Sequence, residues 1–487
     1  TRDMLEIAQR WEQSPFFPRM EFTSAVDYLS LINSLPGQKT LPVWKDELYL
    51  EFHRGCYTTH ADQKRWNRQC EGLLYQAELF ASLATITAGD IYPKVKLEDA
   101  WKKVLFNQFH DILPGSAIPE VYIDANQAWI EVEQVCQSIL NKVISSLSLQ
   151  ITLPNPPQPN AQAILVFNSL NWQRSEVVAV SLPAASNQEW QVYDLAGKLV
   201  ISQLSEASTL LFVATDIPSV GYRVYWLCPL PAEKLNLDIF LEDNPKKGKQ
   251  VSQDTNSLSA PNPISGKNTE NWVLENELLR AIIDAESGNL SKVWDKINKR
   301  EIINQAGNQL QAFEDSGQYW DAWNIDPNYE QHPLLAPVLK EIYWVDKGKV
   351  RQRLRVVKQF GESQFQQDYV LEGDSPVLKI ENEVNWQERH VLVKAAFPLN
   401  IEADFATYEI ACGAIQRTTK PQTPAEKAKW EVPALRWADL STDNYGVSLL
   451  NDCKYGYDAQ SNQLRLTLLR GSTWPNPEAD KGIHQFT

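Results

Sequence analysis

The hydrophobic period of this chain changes once, near residue 150, and that change limits the folds open to it. Before it, apolar residues recur every three or four positions, the spacing of one helix face. Residues 61–86 carry Trp66, Cys70, Leu73, Leu74, Ala77, Phe80 and Ala84 at that spacing. Residues 97–109 follow, with Trp101, Val104 and Leu105 expected to face inward. Residues 119–147 hold a third stripe, from Ala125 and Trp129 through Cys136 to Leu147, and Pro119 suits a first-turn position. Three such helices with short connections predict a small bundle. Residues 4–11 and 24–35 carry two shorter helical patterns.

Beyond the prolines at 154, 156, 157 and 159 the period becomes two. Strand-like runs occupy 163–167, 176–182, 190–195, 210–217 and 222–227. Residues 244–271 are rich in Lys, Ser, Asn, Pro and Gly and predict a disordered loop or linker. From Trp272 the alternation resumes, over 272–283, 290–295, 353–360, 368–371, 377–386, 390–397, 446–451 and 464–469. Many strands without long intervening helices predict antiparallel β-sandwich domains, the last a large supersandwich. The expected fold class is therefore multidomain α plus β. Its parts are a tail of preceding structure at 1–46, a three-helix domain at 47–150, a β-sandwich at 151–243, the linker at 244–271, and a large β-sandwich at 272–487.

The chain has 487 residues, and about 150 per domain predicts about three domains. Its net charge of −15 argues against nucleic acid or an anionic membrane as principal partner, since both require basic patches. No apolar run reaches the ~18 residues of a membrane span. The six cysteines are scattered without a C-x-x-C pair, and no signal peptide is visible. That pattern predicts a reducing, cytoplasmic compartment. The chain starts without Met and ends inside a strand-like run, so both ends look cut.

One stretch stands out chemically. Residues 106–116 read Phe-Asn-Gln-Phe-His-Asp-Ile-Leu-Pro-Gly-Ser, a helix running into a Pro-Gly break. Just before that break lie His110 and Asp111. A neutral imidazole binds metals, and a carboxylate binds metals or accepts hydrogen bonds from sugar hydroxyls. The alternative is a capping pair at a helix end. Residues 46–57 hold a polar cluster of Glu47, Glu51, His53, Arg54 and Tyr57. A helix would put Glu47 and Glu51 on one face, either as a solvated face or as paired carboxylates.

Several segments taken together resemble one family: residues 47–59, Lys64-Arg65-Trp66-Asn67-Arg68, 106–116, 319–326, 437–440, 450–456 and 470–480. In this order they resemble the bacterial form of the glycoside hydrolase family 38 α-mannosidases. The resemblance implies an N-terminal α/β barrel-like catalytic domain, of which residues 1–46 would be the end, then a three-helix middle domain and β-sandwich domains. It implies retaining hydrolysis of α-mannosides or oligomannose, with a divalent metal, zinc by expectation, held in part by His110. It also implies that Asp111 contacts the sugar, and it leaves Arg54 and Tyr57 between pocket lining and interdomain hydrogen bonding. Trp320, Asp321 and Trp323 fit either sugar stacking or buried packing. Arg470, Asp480 and His484 fit either an approach to the pocket or an ion-paired loop. The family's His-x-Asp segment and its nucleophile region have no counterpart here, so the nucleophile, the acid/base and three metal ligands are expected upstream of Thr1. The chain thus reads as a fragment, inactive alone and truncated at its C-terminus. The alternative is a non-catalytic carbohydrate-binding or scaffold module derived from such an enzyme. Homo-oligomerisation is left open.

Overall fold

The computed structural model describes residues 2–16, 20–36, 42–182, 189–205, 208–230, 272–317 and 320–487. The expected linker at 244–271 lies outside the described residues. Two compact units are present, Thr1–Tyr49 and Leu50–Thr487. The first contains α1 (Arg2–Glu12) and α2 (Ala25–Ser34). Ser24 caps α2, its Oγ accepting from the Asp27 amide at 3.1 Å.

The second unit opens with α3 (Ala61–Ala88), α4 (Lys94–Asn107) and α5 (Pro119–Leu149). Their apolar stripes meet in one core that includes Cys70, Leu74, Val104, Trp129 and Cys136. The fully buried Trp129 donates its indole N–H to Gln63 Oε1 at 2.8 Å, so this large ring leaves no polar atom unmet. Gly89 ends α3 at φ 75°, the left-handed conformation that glycine adopts without steric cost. Two expectations fail here. Leu105 is 60% exposed, because Leu97, Ala100 and Val104 already fill the inward stripe of α4 and the next position rotates outward. Glu47 and Glu51 share no helix: residues 46–57 form short 3-10 turns at Glu51–His53 and Gly55–Tyr57.

The change of period falls where helices give way to sheets. Strands Gln162–Asn168, Gly221–Pro229, Trp190–Asp194 and Leu199–Val200 form one sheet, and Arg174–Ser181, Thr209–Ile217 and Ser202–Ser205 a second. Val192, Tyr225 and Leu227 of one pack on Leu210 and Phe212 of the other, so the two make a sandwich. The expected strand at 272–283 is a hairpin of Trp272–Glu275 and Leu279–Ile283. Asn276 makes the turn, its Oδ1 accepting from the amides of Leu278 and Leu279.

Four antiparallel sheets follow Trp272. One five-stranded sheet runs Gln309–Glu314, Val391–Pro398, Gln463–Arg470, Gly456–Gln460 and Val432–Pro433. Another runs Val338–Lys347, Arg351–Phe360, Ser363–Glu372, Leu378–Trp386 and Gly482–Phe486. The first carries a buried charged patch. Lys394 donates to Asp458 and Thr467, each at 2.8 Å, and to Glu431. Paired in this way, Lys394 keeps its charge despite full burial. Among the described residues no helix is long and apolar enough to cross a membrane.

Candidate functional site

Segments far apart in sequence converge at the N-terminal end of α3: the turns at 51–59, the loop at 108–118, residues 315–317 and 320–324, and the loop at 471–480. Arg470 holds them. Its side chain is fully buried, at the end of strand Gln463–Arg470. Nε and Nη2 donate to Asp315 Oδ2 at 2.9 and 2.5 Å. Nη1 reaches Thr59 Oγ1 at 2.9 Å and the Asp321 carbonyl at 2.6 Å, and Nη2 the Asn324 carbonyl at 3.0 Å. A planar guanidinium suits several acceptors converging on one buried point. Asp480 reaches the same place from the other side. It accepts the His60 and Ala61 amides at 2.9 and 2.8 Å and so caps α3. His484 is buried and meets the Asp480 carbonyl through Nε2 at 2.6 Å. Burial lowers the His484 pKa and favours the neutral ring.

The 108–118 loop is clamped onto this frame. Lys64, deep in the fold, donates to the Thr59 carbonyl at 2.6 Å and the Leu113 carbonyl at 2.9 Å. Gly115, at φ 91°, lies against the Thr59 carbonyl, where a Cβ would collide. The clamped loop presents His110 to solvent: its side chain is 77% exposed and that of Asp111 40%. His110 Nε2 stands 3.3 Å from Asp111 Oδ2. Ser116 Oγ donates to Asp111 Oδ1 at 2.8 Å and fixes the carboxylate. Tyr122 OH donates to the Asp111 carbonyl at 3.3 Å.

The other expected residues are placed as follows. Arg54 is buried; Nε and Nη2 donate to the Ala428 carbonyl at 3.2 and 2.5 Å, and the guanidinium lies 4.4 Å from the Trp430 ring. It thereby ties the 51–57 turns to the C-terminal sheets. Tyr57, half-buried, ends the second turn. Asp321 is buried and accepts from the Thr473 and Trp474 amides at 2.5 and 3.1 Å. Trp320, Trp323 and Trp474 cluster with ring centroids 5.3–6.1 Å apart, and Trp320 and Trp474 are largely exposed.

His53 was not singled out by sequence reasoning, and a single histidine in a polar cluster gives no signal for it. The Asp111 charge reaches it, but burial dominates and lowers its pKa. Its Nδ1 is shut off from solvent without a hydrogen-bond partner. Cys56 is in the same neighbourhood, and burial pushes its thiol up to about 11, far from a reactive thiolate. A catalytic zinc takes three protein ligands, and among the described residues no group of three His, Cys, Asp or Glu side chains could hold a metal. The described residues therefore do not make a complete metal centre.

The fold recurs in solved structures. It matches the crystal structure of an alpha-mannosidase from Enterococcus faecalis V583 with a TM-score of 0.73 at 18% identity, covering 100% of this chain and 61% of that one. A second Enterococcus faecalis structure, described as a protein in the glycosyl hydrolase family 38, matches with a TM-score of 0.69 at 16% identity, over 100% of this chain and 64% of that one. Residues 51–147 match the alpha mannosidase middle domain, and residues 274–478 the glycosyl hydrolases family 38 C-terminal domain. The chain belongs to glycosyl hydrolase family 38. It is 31% identical to mouse alpha-mannosidase 2C1 and 32% identical to the human protein, over 100% of this chain and 42% of each relative. Alpha-mannosidase G of Dictyostelium discoideum is 28% identical over 100% of this chain and 44% of its own length. The chain thus spans less than half the length of these curated relatives.

Proposed function

We propose that the chain is the middle and C-terminal part of a retaining, metal-dependent α-mannosidase that removes terminal α-mannosyl residues. The observation that carries this reading is the similarity to proteins named alpha-mannosidases over the entire chain, across both matched domains. His110 and Asp111 are then the contribution of this part to the substrate pocket. His110 supplies one ligand to a divalent metal, zinc by expectation, and Asp111 accepts hydrogen bonds from sugar hydroxyls. Arg54 and Tyr57 support the wall behind them. Such a metal polarises substrate oxygens and orients the sugar.

The geometry favours these roles over a structural one. His110 is exposed on a loop that the Lys64 clamp and the Ser116 contact to Asp111 hold in place. Retention needs two carboxyl groups about 5–5.5 Å apart. We assign that pair to the part of the longer polypeptide that this chain does not span. In the full-length polypeptide, His110→Ala should lose bound metal and cut turnover of an aryl α-mannoside by about a hundredfold or more. Retention of both metal and activity in that variant would refute the role of His110. Cleavage of the same substrate by the 487-residue chain alone, abolished by a chelator, would overturn the assignment of the carboxyl pair.

A further inference from the structure

A second polar cleft lies on the C-terminal sheets, with a volume of about 560 Å³. One wall is the five-stranded sheet that bears the buried charged patch. Gln309 and Gln311 lie two apart on an edge strand, and Gln463 and Arg465 two apart on the central strand, so each pair shares a face. Pro333 and Leu334 form an apolar lip, anchored where the Leu334 amide donates to the Ala312 carbonyl at 2.9 Å. The opposite wall is Lys358, on strand Arg351–Phe360.

Lys358 is the unusual member. It is 2% exposed, and among the described residues no carboxylate pairs with it. Its ammonium donates to Asn289 Oδ1 at 2.6 Å, one acceptor for a group with three donors. Burial alone moves it down to about 7, so near neutrality it exchanges between a donor-only ammonium and an amine that can also accept. Lys394, equally buried in the same domain, is fully matched by Glu431, Asp458 and Thr467. Buried polar groups are ordinarily satisfied, and one left short at the wall of a cleft marks a place for a ligand atom.

The remaining groups narrow the chemistry. Arg465 is neutralised by Asp458 and by Glu330, which stands at the rim. An anionic ligand would meet the Glu330 carboxylate and no free guanidinium. The Gln309, Gln311 and Gln463 side chains offer paired donors and acceptors, which match vicinal hydroxyls, and the Pro333–Leu334 lip suits the C–H face of a pyranose. The volume admits about two sugar rings. We propose that this cleft is a saccharide-binding subsite for a neutral disaccharide unit, separate from the His110–Asp111 loop, with Lys358 and Gln311 as its anchoring residues. The proposal stands without the assignment of His110 and Asp111.

The test is titration of the 487-residue chain with α-mannobiose, and with mannose 6-phosphate as the anionic control, followed by calorimetry and ligand-observed NMR. Saturable binding of the neutral disaccharide is expected, weakened about tenfold by Lys358→Met and by the rim variant Gln463→Ala, and unchanged by His110→Ala. Gln463 is half-exposed, so its variant reads the cleft independently of the buried Lys358. Absence of binding would overturn the proposal, as would preference for the phosphorylated sugar or insensitivity to both cleft variants. Loss of binding in His110→Ala would move the ligand to the other loop and overturn it too.

Discussion

Arg470 shows how much of this molecule rests on single side chains that bridge distant segments. Thr59, one of its partners, lies 411 positions away. Removing the guanidinium would leave Asp315, itself only 1% exposed, as a buried charge without a counter-ion. Breaking such a pair by deleting one partner typically costs about 3–5 kcal/mol, far more than the pair contributes relative to an apolar replacement of both. Arg470→Met should therefore lower the unfolding free energy by about that amount, read as a lower denaturant midpoint. The exposed Arg389–Glu478 pair provides the control, and Arg389→Met should leave the midpoint where it was. Little of this is legible in the sequence. The 470–480 segment stands out in the sequence, with ion pairing as one of its two readings. The partners at 59, 315 and 324 could not be seen, because no local pattern links them.

At the scale of elements, α3 starts without a cap of its own. His60 precedes it in a left-handed conformation at φ 55°, and no side chain there accepts from the first turn. The Asp480 carboxylate does so instead, and its negative charge also suits the helix N-terminus. Asp480→Ala should destabilise the protein by about 1–2 kcal/mol. Hydrogen exchange should quicken in residues 61–64 while α5 stays protected. Uniform acceleration in both helices would mean that the residue acts on the whole domain and is no local cap. Helices and strands themselves were largely legible, because burial of one face writes a period into the sequence. α5 was expected at 119–147 and spans Pro119–Leu149. What failed was finer: Leu105 fits the helical period yet points outward, and the 46–57 stretch folds as short turns where its acidic spacing suggested a helix. Site residues followed the same divide. The adjacent pair at 110–111 stood out locally, whereas His53 joins it only through the fold.

The whole molecule buries an unusual mixture of titratable groups, and together they shape its response to pH. Burial holds Lys358 near about 7 and Lys64 near about 8, both below the ordinary 10.5. Between those values and 10.5 the unfolded chain binds protons that the folded chain does not, so stability rises with pH there. Acidic groups act in the opposite sense at higher pH. Burial lifts the Cys70 and Cys453 thiols to about 12 from 9.0, and it raises the Tyr369 and Tyr457 phenols as well. Above about pH 9 the unfolded chain loses these protons while the folded chain keeps them, and stability falls. The buried Lys394 adds to the fall, since its partners raise its pKa and its contribution is lost only as pH climbs past 10.5. Stability should therefore climb from pH 7, peak near about pH 9 and drop steeply beyond about pH 10. Lys358→Met removes one source of the climb without touching the fall. The variant should unfold at higher denaturant than the parent at pH 7, and the two should converge as pH approaches 10. Parallel profiles for variant and parent across that range would show that Lys358 keeps its charge in the folded protein, and the climb would then have to come from Lys64 alone.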